Sequence, residues 1–245
     1  MNRVFVFVAV WLWALPTWAA EAAWQQAYVE QNIRFIAEHT GAPAGFKAGL
    51  SNAASQQRFG SDRTVYGSLS AAGQRASGER IALADFSRGM VELELAFQLN
   101  QTVEAPIASV AELQSIVRRV AIALELPDLA LLPASPTAKE IVRANVAGKY
   151  FVIGNGVSPQ GLDLDALPLR LFRDASMIAQ SYGGGVSGGQ WQALLALVNQ
   201  RVAMGWRITP QQWLLTGALG GMNALEPGYY HAESVALGGV AITVY

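Results

Sequence analysis

The sequence predicts an α+β fold, a β-rich body with a few packed helices. Three observations carry this. Residues 91–99 alternate apolar and polar at their start, the period of a strand. The stretch after residue 150 holds several short β-branched or aromatic runs separated by glycine-rich turns. Only three long stretches, residues 24–39, 110–126 and 190–204, place apolar residues at helical spacing.

Taken in order, residues 1–20 read as a secretory signal. Arg3 supplies the positive start, and residues 4–15 form an apolar run too short to span a bilayer comfortably. Pro16-Thr17-Trp18-Ala19 then supplies a break and a small residue, so cleavage is expected after Ala19 or soon after. An uncleaved anchor ranks lower, because Glu21 ends the run and no second apolar stretch of spanning length follows. The expected destination is the periplasm or the exterior, with no stable membrane anchor after cleavage. Residues 21–245 show no repeat and no linker, and are read as one domain.

The first helix spans residues 24–39, with Trp24, Tyr28, Phe35 and Ile36 on its apolar side. Glycines at 41 and 45 break it, and Phe46-Lys47-Ala48-Gly49-Leu50 follows as a short apolar segment with one lysine. Residues 51–89 read as loops and short strands. Ser109 and Glu112 match a capping box, and Leu113, Ile116, Val117, Val120 and Leu124 behind it predict a helix running to the break at Pro127. A short helix near 139–143, a strand at 150–153 and a turn region at 154–160 come next. A hairpin of 167–172 with 176–180 follows, then a glycine-rich segment at 183–189. The helix over 190–204 buries Trp191, Leu194, Leu195, Val198 and Val202. Strands are expected at 213–219 and 236–245, the latter bent or paired at Gly238-Gly239.

Composition narrows the chemistry. The 245 residues are 52% hydrophobic and 14% charged, with net charge −1 and no basic block, which supports a buried core and excludes a nucleic-acid footprint. The absence of cysteine excludes disulfides, thiolate metal sites, cysteine nucleophiles and a lipoprotein anchor. Two histidines, His39 and His231, far apart in sequence, are too few for a His-rich site, so any metal here is expected to be held mainly by carboxylates, which points to Mg²⁺, Mn²⁺ or Ca²⁺.

The candidate ligands follow from that. In a strand, Glu92 and Glu94 project from one face about 7 Å apart and can converge on one hard cation. Acids facing water are the commoner arrangement for such a strand. Glu125 sits where the expected helix hands over to an extended segment, an unfavourable place for an acid unless a cation is near. Lys47, flanked by Phe46 and Leu50, either aims its ammonium at an anion in a cleft or snorkels at the surface. Gly185-Val186-Ser187-Gly188-Gly189 matches a nucleophile elbow, with Glu226 and His231 in the right order for an esterase. Five glycines in seven residues make that match cheap, and a loop capping the following helix is the favoured reading. A phosphate cradle there is weaker still, since no Lys-Ser/Thr pair follows.

Several short motifs in register resemble the fumarylacetoacetate hydrolase superfamily, in its 2-oxopent-4-enoate hydratase and oxalocrotonate decarboxylase branch. They are Phe46-Lys47-Ala48-Gly49-Leu50-Ser51, Asp62 with Tyr66-Gly67, Glu92-x-Glu94, Ala123-Leu124-Glu125, Phe151-Val152-Ile153-Gly154 and Gly161-Leu162-Asp163-Leu164. The most specific is Leu215-Thr216-Gly217-Ala218-Leu219-Gly220-Gly221-Met222 with Glu226-Pro227-Gly228. The resemblance implies a β-rich roll and Mg²⁺ or Mn²⁺ held by Glu92, Glu94 and Glu125. It implies Lys47 and Asp62 as catalytic residues, Thr216 and Gly217 as substrate-binding residues, and a homo-oligomer acting on small 2-oxo acids by hydration or decarboxylation.

The chain also departs from the pattern. Val65 stands where the hydratases carry an acid, Met90 where they carry an arginine and Ala147 where they carry a serine. Gly188-Gly189-Gln190 replaces a Gly-Asn/His-Pro turn, and Tyr229 stands for an aspartate. The metal cage is thus expected intact while proton-handling groups are missing. That leaves a non-catalytic binding protein on the same scaffold as the alternative, with an esterase through Ser187 as the outsider.

Overall fold

A computed structural model describes residues 17–245. Most of the expected signal segment therefore lies outside the described residues, and residues 17–20 begin the first helix. The helices are α1 (Thr17–Glu38), α2 (Ala53–Arg58), α3 (Val110–Ile116), α4 (Ala138–Arg143) and α5 (Gly189–Ala203). The strands are β1 (Gly45–Gly49), β2 (Val65–Leu69), β3 (Gln74–Arg75), β4 (Arg80–Ile81), β5 (Met90–Leu99), β6 (Val117–Leu126) and β7 (Tyr150–Ile153). The second half adds β8 (Pro168–Arg173), β9 (Ser176–Tyr182), β10 (Trp213–Leu215), β11 (Leu219–Ala224), β12 (Gly228–Ser234) and β13 (Gly238–Val244). Among the described residues no helix is long and apolar enough to cross a membrane.

The strands form two mixed sheets, as the α+β expectation requires. One runs β2-β1-β10-β5-β6-β7-β3, with β11 also paired to β5; the other runs β4-β13-β12-β8-β9. The long strand β5 organises the first sheet. Its apolar positions Val91, Leu93, Leu95, Phe97 and Leu99 are all fully buried. They share the main core with Val120, Ile122 and Leu124 of β6 and with Leu171, Tyr230 and Ile242 of the second sheet. The opposite face is lined by small residues, Ala96 and Ala123, beside Leu69, Phe151 and Leu215. Helix α5 packs on β1 and β10, and α1 packs on α4.

Three local expectations change. The helix begun at Ser109 is only α3; from Val117 onward the chain is β6, hydrogen-bonded between β5 and β7. Val117, Val120 and Leu124 fit a helical period, but Val120, Ile122, Leu124 and Leu126 also alternate. The central position of the strand, where both edges need backbone partners, decides the matter. The strand expected over 213–219 breaks at Thr216-Gly217-Ala218 and resumes as β11, both halves pairing with β5. In α1, Trp24, Tyr28 and Phe35 are buried as expected, but Ile36 is 65% exposed and Gln31 takes the inward position.

Candidate metal centre

Strand register brings the acids together. Glu92 of β5 lies directly opposite Glu125 of β6, and Glu94 lies opposite Ala123. Like charges facing each other across a ladder are destabilising unless something positive intervenes. Here the penalty is compounded by burial: Glu94 and Glu125 are 0% exposed, and Glu92 is half-buried. One oxygen from each carboxylate falls within 4.8 Å of the others.

Lys47 of β1 supplies part of the balance. Its ammonium, on a side chain 2% exposed, pairs with Glu125 Oε1. In sheet order β10 and β5 stand between β1 and β6. At about 4.8 Å per strand, a flat sheet would hold them roughly 14 Å apart. The sheet must therefore curl for this contact to form, and the alanines at 96 and 123 leave room inside the curl. The turn after α4 closes over the pair: a Cβ on Gly148 would sit 3.6 Å from both Glu125 Oε1 and Lys47 Cε. Residues 145–147 of that turn are all left-handed, including the β-branched Val146 at φ 54°. Such strain, of order 1–3 kcal/mol per residue, persists only where surrounding contacts enforce it. Asn145 enforces it here, accepting from Ser68 N–H at 2.7 Å and donating to Ser68 C=O at 2.8 Å.

One ammonium does not satisfy three carboxylates. Glu94 Oε2 accepts the Gly217 N–H at 2.8 Å, but Glu94 Oε1 and Glu125 Oε2 are buried without a partner. Burial first, then repulsion from Glu125, pushes Glu92 up to about 7, with Lys47 opposing the rise. Burial, then Glu125 and Glu92, holds Glu94 well above the usual carboxylate range. Burial alone would lower the Lys47 ammonium, but Glu125, Glu92 and Glu94 outweigh it and raise it. A set of oxygen-only, converging donors with two orphaned lone-pair edges fits a hard divalent cation.

The centre opens into a cavity of about 530 Å³ with Lys47 and Glu92 among its lining residues. Its walls are mostly aliphatic, including Leu129, Leu132, Ile141 and Val146, and α2 contributes Arg58 beside Phe59. The reading of residues 51–89 as loops and short strands passed over α2. The available signal was Asn52 three residues before Ser55, whose side chains and backbones cap each other reciprocally.

The remaining candidates do not all join the centre. Asp62 is on the surface, its side chain 71% exposed and paired with Arg63, and does not line the cavity. Thr216 and Gly217 lie behind the carboxylates rather than in the cavity wall. Thr216 is fully buried with its hydroxyl turned to Gln190, and the Gly217 amide is taken by Glu94. In this structure the Thr216 hydroxyl and the Gly217 amide are both engaged within the protein, one by a side chain of α5 and the other by Glu94 of β5. The esterase constellation is not assembled either. Glu226 is paired with Arg173, His231 stacks between Phe172 and Tyr229 on the second sheet, and the Ser187 amide bonds Ser51 C=O. His39 caps its own helix at Phe35 C=O. Val65 and Ala147 are buried and aliphatic.

No protein-family model matches the chain. It is 29% identical over 201 residues to a 2-keto-4-pentenoate hydratase of Burkholderia vietnamiensis, covering 81% of this chain and 77% of that one. It is 23% identical over 184 residues to a 4-oxalocrotonate decarboxylase of Pseudomonas sp, covering 75% and 71%. Among solved structures, 4-oxalocrotonate decarboxylase from Pseudomonas putida G7, complexed with magnesium and adipate, superposes with TM-score 0.82 at 19% identity, covering 91% of this chain and 86% of that one. Fumarylpyruvate hydrolase from Pseudomonas aeruginosa, in complex with Mn²⁺ and pyruvate, gives TM-score 0.63 at 17% identity, covering 81% and 88%. The resemblance carried by the short motifs therefore holds: the chain is a homologue of proteins named 2-keto-4-pentenoate hydratase and 4-oxalocrotonate decarboxylase, on the fold of the fumarylacetoacetate hydrolase superfamily.

Proposed function

We propose that the chain is a divalent-metal-dependent, lyase-like enzyme acting on a small 2-oxo acid by hydration or decarboxylation. The observation that carries this reading is the trio Glu92, Glu94 and Glu125, with two buried oxygens unpartnered, set around Lys47 at an aliphatic cavity. Mg²⁺ or Mn²⁺ held by the three glutamates would supply Lewis acidity toward the carboxylate and keto oxygens of such a substrate. Lys47 keeps its proton and brings fixed positive charge to an anionic headgroup. Leu129, Leu132 and Ile141 hold the carbon chain and limit water around it. The names of the sequence relatives support lyase chemistry.

Calorimetric titration with Mn²⁺ tests the site. Binding is expected, tightened by oxalate as a mimic of the 2-oxo acid headgroup and weakened at least tenfold by Glu92→Ala. No binding, or binding indifferent to that substitution, overturns it.

A second reading, a binding protein without turnover, is favoured by one observation: Val65 and Ala147 are aliphatic, and Asp62 is remote from the cavity. Loss of a positioned acid or base costs about 10²–10⁴-fold in rate. Deuterium exchange at the carbon beside the keto group of a 2-oxo acid separates the two readings. Metal-dependent exchange supports the enzyme; its absence in a protein that binds Mn²⁺ supports the binder.

A further inference from the structure

The glycine-rich segment before α5, which mimics a nucleophile elbow in sequence, is tied instead to the metal centre through one buried side chain. Gln190, in the first turn of α5, is fully buried. Its Nε2 donates to Gly183 C=O at 2.6 Å. A carbonyl only accepts, so this contact sets the orientation of the amide and turns Oε1 toward Thr216. The Thr216 hydroxyl lies 2.6 Å from that oxygen and donates to it. The Thr216 N–H meanwhile donates to Leu95 C=O at 3.2 Å, pinning the end of β10 to β5.

The next residue is the one that reaches the centre. Gly217 has φ +110°, and a Cβ there would lie 2.3 Å from Ser51, so only glycine fits the break. Its amide donates to Glu94 Oε2. That single bond satisfies one edge of the carboxylate and leaves the other, Oε1, buried without a partner, in a cluster where Glu92, Glu94 and Glu125 each bring one oxygen within 4.8 Å of the others. Upstream, Asp165 accepts the Gln190 backbone N–H at 2.7 Å and anchors the start of α5. The chain of contacts runs Asp165, Gln190, Thr216, Gly217, Glu94, almost all of it out of water.

We infer that Gln190 and Thr216 are positioning residues for Glu94, holding the Gly217 amide so that the free oxygen of Glu94 faces the cation position. The inference rests on the reading of Glu92, Glu94 and Glu125 as metal ligands. It gives a role to two features that the proposed reaction leaves idle: Gln190, which stands where the resembled family has proline, and the segment at 183–189. Groups that orient a ligand from behind change metal affinity by about 10–100-fold when removed.

The test is Mn²⁺ affinity by calorimetry on the whole chain, with metal-free thermal unfolding in parallel. The proteins are wild type, Gln190→Met, Thr216→Val and Thr216→Ser. Met and Val keep the volume and remove the hydrogen bonds; Ser restores the hydroxyl. The expected result is Mn²⁺ binding weakened tenfold or more in Gln190→Met and Thr216→Val, and restored to within about threefold of wild type in Thr216→Ser. A purely structural role would lower the unfolding temperature and leave affinity untouched. Affinity within twofold of wild type in both variants overturns the inference while leaving the metal site standing. A wild-type protein that binds no Mn²⁺ overturns the metal reading and the inference with it. If Gln190→Met does not fold, Thr216→Val against Thr216→Ser decides alone.

Discussion

At the scale of single residues, the energetics turn on Glu92 and its neighbours. Glu92 is pushed up to about 7, by burial first and by Glu125 second. A folded-state pKa raised above the unfolded value means the fold favours the protonated form. The stability this contributes is fully present below the ordinary carboxylate value near 4.5 and is lost as pH rises through about 7. Cation binding needs the ionised carboxylates and reverses the penalty. The metal-free protein is therefore expected to melt at a lower temperature at pH 8 than at pH 5.5. The upward shift on adding Mn²⁺ should be larger at pH 8 than at pH 6. Scanning calorimetry checks both; a metal-free melting temperature unchanged across that interval would contradict the assignment.

At the scale of elements, the decisive pieces are the left-handed turn after α4 and the broken strand β10–β11. The turn lies over Lys47 and is held by the two bonds from the Asn145 amide to Ser68. Asn145→Ala leaves both Ser68 groups without these partners at a partly buried position. A loss of about 1–3 kcal/mol is expected from denaturant titration. No simple pattern of apolar residues announces such a turn, because three consecutive left-handed non-glycine residues run against local preference. Sequence periodicity also misled at β6, where residues compatible with a helix were drawn into a sheet. The helix-end argument for Glu125 therefore falls. Its demand for positive charge comes from burial opposite Glu92, not from a helix dipole.

At the scale of the molecule, the two sheets share one core and the first sheet curls around its small-residue face. That curl, rather than any adjacency in sequence, brings Lys47 to Glu125 across two intervening strands. The N-terminal sequence carries a separate expectation. Expressed in a bacterial host, the full chain should be recovered outside the cytoplasm with a mature N-terminus near Ala20. N-terminal sequencing of fractionated cells checks it, and recovery of a cytoplasmic chain starting at Met1 would refute it.

What the sequence determined alone was the set of local alternatives and the chemistry permitted. Alternation placed Glu92 and Glu94 on one face of β5, the hairpin of β8 and β9 and the helix α5 were readable from period and turn residues, and the absence of cysteine with only two histidines pointed to a metal held mainly by carboxylates. Short motifs in register carried the fold. Tertiary structure decided the rest. It turned the Thr216 hydroxyl to Gln190 and the Gly217 amide to Glu94, and left Asp62 on the surface. It also placed Gln190 in the chain that orients a carboxylate. The physical reason is the same in each case. A residue's type limits what bonds it can make, but which partner it meets depends on strand register and sheet curvature, set by burial summed over the whole core rather than by neighbours along the chain.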